Sequence, residues 1–469
     1  MKKYILLVLA AFFSIYTAAA AERILTIEQA VDLARANNLS LKSADIDLLT
    51  KKRAKDTAWN KFLPSLQANG TMIRWNTEQS MSGISGYPSP TSMIPGVGSV
   101  YDQVLSSSFD LPRWGLSAGL DLSLNLNLAL MKEIESTRID YRSGRISRET
   151  AEKQMERDVR KNFYNILVFK ENIKLMEQNV TAAEERYLQA KTNYSNGLVP
   201  ELSVLSAQVG WENLKPALAE MHLGYTSMLD SFKMMLGIPI TDSLEVKGDI
   251  QINPIPLDWQ KLSDQFLARR LDLQSLTTTI ESLKTSKSAL QLQAMTPTLA
   301  LGLSFDPAFQ GDPLKDNWFS QMGDNWKQQS GMLRLTLALS LDSFLPGSKT
   351  RAGIHDMEDG IRKAEIGLDQ ARAGARMEIK TLVMKLKKSA DQLKVLALNV
   401  ELAERAYRMS REAYRAGSKE LLEVEDSERD LNNAKLEVLK EKYNYLTGML
   451  DLEYALNATL DDIKEVNND

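Results

Sequence analysis

The stretch Ala183–Leu205 reads AEERYLQAKTNYSNGLVPELSVL, and Ala403–Glu425 reads AERAYRMSREAYRAGSKELLEVE. The two align without a gap at an offset of 220 residues: Tyr187 recurs as Tyr407, Tyr194 as Tyr414, Gly197 as Gly417, Leu202 as Leu422, Val204 as Val424 and Tyr225 as Tyr445. Solenoid units span only about 20–50 residues. This is a duplicated half-protein, and its fold must carry internal pseudo-symmetry.

Upstream of each tyrosine-glycine segment the apolar spacing is strict. Ile166, Phe169, Ile173, Met176, Val180, Ala183, Tyr187, Ala190 and Tyr194 run 3-4-3-4, and the shifted stripe is Leu386, Ser389, Leu393, Leu396, Val400, Ala403, Tyr407, Ser410 and Tyr414. A sustained seven-residue repeat specifies coiled-coil packing, and its small residues permit close approach. The spacing predicts very long helices over 131–196 and 348–416, each about 100 Å at 1.5 Å per residue. Each ends at a glycine, a helix-stop signal. Shorter helices follow, so that helical pairs fill 131–236 and 348–456.

Before each long helix the period changes to two. Leu116, Leu120, Leu122, Leu124, Leu126 and Leu128 alternate with small and polar residues, and so do Leu299, Leu301, Leu303 and Phe305, then Leu333, Leu335, Leu337, Leu339 and Leu341. That is the pattern of strands with one apolar and one polar face. Four strands are expected, at 66–75, 114–128, 298–306 and 331–342. A loop rich in Ser, Gly and Pro at 77–112 and a loop with Pro, Gly and Trp at 306–330 join the two pairs. Two helices precede each pair, over Thr26–Phe62, with a break at Asn37–Asn38, and Trp259–Met295; Pro64 and Pro297 stop them. The first repeat thus covers 22–240, a linker 241–256, the second repeat 257–456 and a C-terminal tail 457–469.

The N-terminus, MKKYILLVLAAFFSIYTAAAAER, reads as a signal peptide over 1–21: basic Lys2 and Lys3, an apolar run, then small residues. Its removal takes the formal charge from −4 to −6, which gives no basic footprint for nucleic acid. The chain has no cysteine, so neither a disulfide framework nor a lipoprotein anchor is expected. No later segment has 18 consecutive apolar residues, so any membrane span must be made of strands. The leucine faces are about as long as a tilted strand needs to cross a bilayer. Four strands are too few to close a barrel, and open edges in lipid leave amides unsatisfied, so several chains must contribute to one barrel. Asp121, Asn125, Asn127, Arg334 and Asp342 would face a wet lumen. Trp75, Trp114, Phe305 and Phe344 would lie at the interfaces.

These features resemble the TolC-like outer-membrane efflux proteins along essentially the whole mature chain. The resemblance rests on the duplicated tip (Tyr194, Gly197, Leu202, Val204; Tyr414, Gly417, Leu422, Val424), the helix–strand–loop–strand–long-helix order of each half, and Pro64 and Pro297 before each first strand. It implies a mainly α fold with β, in which a homotrimer builds a twelve-stranded transmembrane β-barrel in outer-membrane lipid. Below the barrel the long helices form a coiled-coil barrel through the periplasm. It further implies a tripartite efflux or type I secretion system. Its partners would be a periplasmic adaptor and an inner-membrane pump of the resistance-nodulation-division or ABC type, and its cargo small molecules or proteins.

The resemblance also implies site residues. Glu423 and Asp426 match acids that ring a periplasmic constriction, and Tyr414 and Lys419 match positions that hold the resting state shut. Lys419 stands where an arginine is usual, which loses a bidentate fork. Ser203 stands where a carboxylate partner is frequent. Gly197, Leu198, Val199, Gly417 and Ser418 would form the turns that meet the adaptor. The residues alone leave another reading open, in which Glu420, Glu423, Glu425, Asp426 and Glu428 are a solvated face near a helix N-terminus, where acids are favoured.

No phosphate-binding loop, nucleophile motif or Cys/His cluster points to an enzyme or cofactor. His222 and His355 sit in expected helices without local metal-ligand spacing. The alternative to a channel is an exported coiled-coil scaffold or adhesin, which accounts for the heptads but not for four amphipathic strands at matched places.

Overall fold

A computed structural model describes residues 23–74, 76, 79–81, 109–111, 114–305, 308–311, 331–416 and 418–468. The expected signal peptide, Trp75, Gly417 and most of both strand-joining loops lie outside these residues. Two compact units emerge. One holds residues up to Lys52, Asp140–Ile280 and Arg362 onwards; the other holds Arg53–Ile139 and Glu281–Ile361.

The second unit is built on one antiparallel sheet. Its strands are β2 (Ser65–Arg74), β5 (Trp114–Leu126), β7 (Thr298–Phe305) and β9 (Gly331–Ala338), ordered β2-β5-β7-β9. A short β8 (Ala308–Gly311) extends along the start of β5, and β3 (Gln79–Met81) pairs with β4 (Phe109–Leu111). The register sorts the side chains. Leu66, Leu122, Leu303 and Leu333 lie in one cross-strand row, Leu124, Leu301 and Leu335 in the next, and Leu126, Leu299 and Leu337 in a third. Successive side chains alternate faces, so one face is paved with leucine. The other carries Asp121, Ser123, Asn125, Arg334 and Thr336, with Asn69 Nδ2 donating to Asp121 at 3.1 Å.

Two strand ends differ from the sequence expectation. β9 stops at Ala338 rather than 342 because the next ladder partner is Pro297, which has no N–H to give. Asp342 therefore lies in a 3-10 turn, Asp342–Phe344, where it accepts from the Ser340 hydroxyl. β5 stops at Leu126, and Asn127 is a helix cap whose Oδ1 accepts from the Leu130 amide at 3.1 Å. Neither Asn127 nor Asp342 belongs to the polar sheet face assigned to them from alternation.

The first unit contains α1 (Ile27–Asn37), most of α2 (Leu39–Asp56), α5 (Trp259–Phe266) and the start of α6 (Leu271–Met295). It also holds the greater part of two 67-residue helices, α3 (Ala129–Ser195) and α7 (Lys349–Arg415). Two 36-residue helices complete the hairpins, α4 (Glu201–Leu236) and α8 (Leu421–Leu456). Duplication extends to the core. Val159, Phe163, Ile166, Phe232 and Leu236 are buried in one cluster, and Ile379, Val383, Leu386, Leu452 and Leu456 in a second, position for position. The caps repeat as well. Gly237 (φ 70) and Asn457 (φ 48) end α4 and α8 in the left-handed region, the latter using one of the few side chains that tolerate it.

Two segments expected to be plain connectors carry structure. Within the 241–256 linker, β6 (Leu244–Val246) pairs in parallel with β1 (Arg23–Leu25), burying Leu25, Leu244 and Val246 in the first cluster. The 457–469 tail folds as α9 (Leu460–Asn468), with Ile463 and Val466 buried against the second. Three-residue strands and one nine-residue helix are too short for periodicity to register.

Candidate functional site: the paired hairpin tips

The sequence pins both hairpin turns. After α3 the Gly197 amide donates to Tyr194 O at 2.9 Å and the Leu198 amide to Asn193 O at 2.9 Å, with Gly197 at φ 68. This is a Schellman closure, which needs a left-handed residue and explains the glycine. At the second tip the Ser418 amide reaches Ala413 O at 2.9 Å, the same bond shifted by the repeat offset, and the Ser418 hydroxyl reaches the same carbonyl at 3.0 Å. Pro200 and Glu420 then start α4 and α8 in matching extended conformations, at ψ 157 in both. Leu198 and Leu202 stand exposed at the first tip, Ser418 and Leu422 at the second, and Val199 is half-buried.

The charged residues sort into an exposed set and a buried set. Lys419 Nζ meets Glu423 at 2.6 Å, one helical turn on, and Arg429 meets Asp426 at 2.5 Å. All four are solvent-accessible. Glu428 is different. It is buried, and Arg186 of α3 donates to its carboxylate. Burial pushes the Glu428 carboxyl above its ordinary value, although Arg186 pulls the other way. Tyr407 of α7, near this pair, is pushed up by burial first and by the Glu428 charge second.

Arg186–Glu428 has a companion along the same two helices. Lys161 of α3 bonds Asp451 of α8 at 2.5 Å, and the Arg157 guanidinium lies 4.3 Å from the Tyr454 ring centroid. Between the two ion pairs α3 advances as α8 retreats, so the helices run antiparallel side by side. Tyr187 of α3 stacks on Trp211 of α4 at 5.6 Å, and Lys435 of α8 pairs with Glu404 of α7 at 3.6 Å. The four helices therefore lie in the order α4–α3–α8–α7.

A family model described as "Outer membrane efflux protein" matches residues 30–237 and 262–458, one match for each repeat. The chain belongs to the outer membrane efflux protein family. Solved structures agree in fold. The Campylobacter jejuni CmeC outer membrane channel superposes with a TM-score of 0.70 at 16% identity, over 94% of this chain and 89% of that one. The Neisseria gonorrhoeae MtrE outer membrane channel, in an open state, gives 0.68 at 16% identity over 92% and 89%. Vibrio cholerae VceC, an outer membrane protein, gives 0.67 at 14% identity over 92% and 96%. A comparison with curated protein sequences finds no match.

Against the residues singled out in this family member by sequence, the structure brings Lys419 and Glu423 together. It leaves Asp426 with Arg429, and places Tyr414 half-buried on the last turns of α7. Gly417 lies outside the described residues. Glu428 does not belong to a solvated face, because α3 covers it. Sequence reading missed Arg186. Its position just before Tyr187 of the heptad stripe flanks the seam, where interhelical ion pairs form, and was the available signal. Among the described residues no group of His, Asp and Glu is arranged to hold a metal ion, and no helix is long and apolar enough to cross a membrane.

Proposed function

We propose that this efflux-family protein works as a homotrimeric outer-membrane channel-tunnel. It exports small molecules or proteins delivered through a periplasmic adaptor and an inner-membrane pump, with its gate at the hairpin tips. The carrying observation is the leucine face of the sheet. Leu333, Leu335 and Leu337 are 70%, 68% and 70% exposed, and no other described part of the chain covers them. A naked apolar face of this length fits lipid. Among the described residues β2 and β9 are the edges of this sheet; hydrocarbon leaves an open edge unsatisfied, and a neighbouring copy would supply the missing ladder.

The helices support the same assembly. α4 and α7 flank the four-helix row, and each carries an exposed apolar stripe at heptad spacing. Leu202, Leu205 and Val209 form one; Val395, Leu398, Leu402 and Met409 form the other. Packing α4 of one copy against α7 of the next buries both. Symmetry then gathers three copies of the α8 start around one axis. There Glu423 and Asp426 ring the constriction, each balanced within its own copy by Lys419 or Arg429, and Tyr414 packs behind them. Gly197, Leu198, Val199, Gly417 and Ser418 present the surface for the adaptor.

The chain has no cysteine, so disulfide trapping has no background. Single cysteines along β2 (Gln67→Cys, Asn69→Cys) are combined with single cysteines along β9 (Arg334→Cys, Thr336→Cys) in the assembled protein. At least one pair is expected to give a covalent ladder ending at three copies. A ladder that never forms, together with extraction as a soluble monomer, rejects the proposal in favour of a periplasmic scaffold.

A further inference from the structure

The two repeats part company in one stretch of their helix seams. The heptad stripe of α3 carries Phe169 where that of α7 carries Ser389, and Met228 of α4 corresponds to Gly448 of α8. In the first repeat the Phe169 ring lies over Gly224, 3.4 Å from where a Cβ would stand there, and Met228 packs against the first core cluster. Two bulky side chains close that seam. In the second repeat both positions are small, and the seam between α7 and α8 holds a groove of about 620 Å³.

The groove has an apolar floor and one cationic end. Leu382, Leu386 and Leu396 line it from α7, and a Cβ on Gly448 would meet Leu386 Cδ2 at 3.1 Å. Ser389 lines it too. It is only 6% exposed, and its Oγ has no hydrogen-bond partner among the described residues. Thr447, on the α8 wall, donates to the Tyr443 carbonyl at 2.9 Å, the helical bond that Ser389 does not make. A buried hydroxyl left unpaired costs free energy and calls for an acceptor. Leu386 beside Gly448 and Glu404 beside Lys435 make α7 and α8 antiparallel, which sorts the charges by end. Lys385 and Lys388 stand within about one turn of Ser389, are exposed, and have no ion-pair partner among the described residues. The acid lining that end, Asp451, is held by Lys161 at 2.5 Å. Lys440 lines the opposite end, flanked on its own helix by Glu437 and Glu441. The first repeat has Asn165 and Val168 where Lys385 and Lys388 stand, so the charge and the hollow coincide.

We propose that this groove binds a small amphiphilic organic anion. The apolar body lies along Leu382, Leu386 and Leu396 against Gly448. Its carboxylate or sulfonate meets the Lys385 and Lys388 ammonium groups and accepts a hydrogen bond from Ser389 Oγ. Small-molecule sites are concave, mostly apolar slots of about 300–1,000 Å³ with a few convergent polar groups, and the groove meets each condition. An apolar wall on one side lowers the local dielectric, so an ammonium there attracts an anion more strongly than in open water. The Phe169 ring occupies the matching place in the first repeat, so one site per chain is expected. The groove lies between two helices of the row rather than on its outer flank, and packing α4 of one copy against α7 of the next does not require it. The site therefore stands independently of the channel reading.

The test uses the full chain in a maltoside detergent, with naphthalene-2-sulfonate as the probe, saturation-transfer NMR titration as the readout and detergent alone as the blank. Wild type is expected to bind the sulfonate about tenfold more tightly than the uncharged naphthalene-2-sulfonamide, the factor that one hydrogen bond to a charged group supplies. High salt should narrow that advantage. Lys385→Gln/Lys388→Gln should remove it and leave the sulfonamide's affinity unchanged. Ser389→Phe should abolish binding of both compounds by refilling the slot as Phe169 does in the first repeat. No saturable binding in wild type, equal affinity for sulfonate and sulfonamide, or sulfonate binding that either substitution leaves intact overturns the site. Should Ser389→Phe fail to fold, the exposed lysine pair decides: a sulfonate preference that outlasts its removal overturns the proposal.

Discussion

Arg186→Met tests whether α3 and α8 are held together by charge. The Arg186 and Glu428 side chains are only 19% and 11% exposed. Removing the arginine strands a buried carboxylate without its partner. Breaking one partner of a buried pair costs about 3–5 kcal/mol, and the residual exposure here argues for the lower end, about 3 kcal/mol. Replacing both with apolar side chains is often close to neutral, so Arg186→Met/Glu428→Leu should recover most of the loss. The sign with pH follows from the carboxyl. Its folded-state pKa is already raised by burial and rises further without Arg186. A group raised in the folded state contributes stability that is full below its unfolded pKa, about 4.3, and is lost as pH rises through the folded one. The deficit should therefore be small near pH 4.5 and largest near pH 8. The assay is thermal unfolding of the detergent-solubilised protein at both pH values, with hydrogen exchange of α8 amides reporting the local opening. At about 2 °C per kcal/mol or less for a chain this large, the midpoint should fall by roughly 5 °C at pH 8. A variant that melts with wild type at pH 8, a deficit that does not change with pH, or a double variant as poor as the single one refutes the reasoning.

The two sheet faces should respond differently. Leu337→Arg, on the leucine face, should impair assembly by about 2–4 kcal/mol, and neighbouring Thr336→Arg, on the polar face, far less; heat-modifiable mobility on gels reads both, and equal effects contradict the face assignment. At the tips, Glu423→Ala/Asp426→Ala should raise planar-bilayer conductance, weaken cation preference and relieve block by multivalent cations. Unchanged recordings leave the two acids as a solvated helix face. Gly237→Ala should destabilise by about 1–3 kcal/mol, because a Cβ there meets Asn37 O at 2.5 Å and φ is 70, while Asn457→Gly at the matching cap should be nearly neutral by thermal unfolding.

Much of this molecule is legible in its sequence because its signals are periodic and come twice. The 220-residue offset announces the duplication, the 3-4 spacing gives the long helices, the alternating leucines give the four long strands, and Gly197 marks the left-handed turn of the first tip. These are local regularities of the backbone, so residues that share a face can be named without knowing their partners. What the sequence misses is short or non-local. β1 and β6 lie some 220 residues apart and are three residues each, below the length at which any period shows. β9 ends where it does because Pro297 stands opposite, on another strand. Glu428 reads as one acid among five beside a helix N-terminus, and only the docking of α3 decides that it is buried and paired while Glu423 and Asp426 stay in water. The sequence alone determined the repeats, the helices and the two-faced strands, since each follows from the residues within a few turns. The tertiary structure alone decided which charges are desolvated and where each ladder stops, since both depend on atoms that reach the site from another part of the chain.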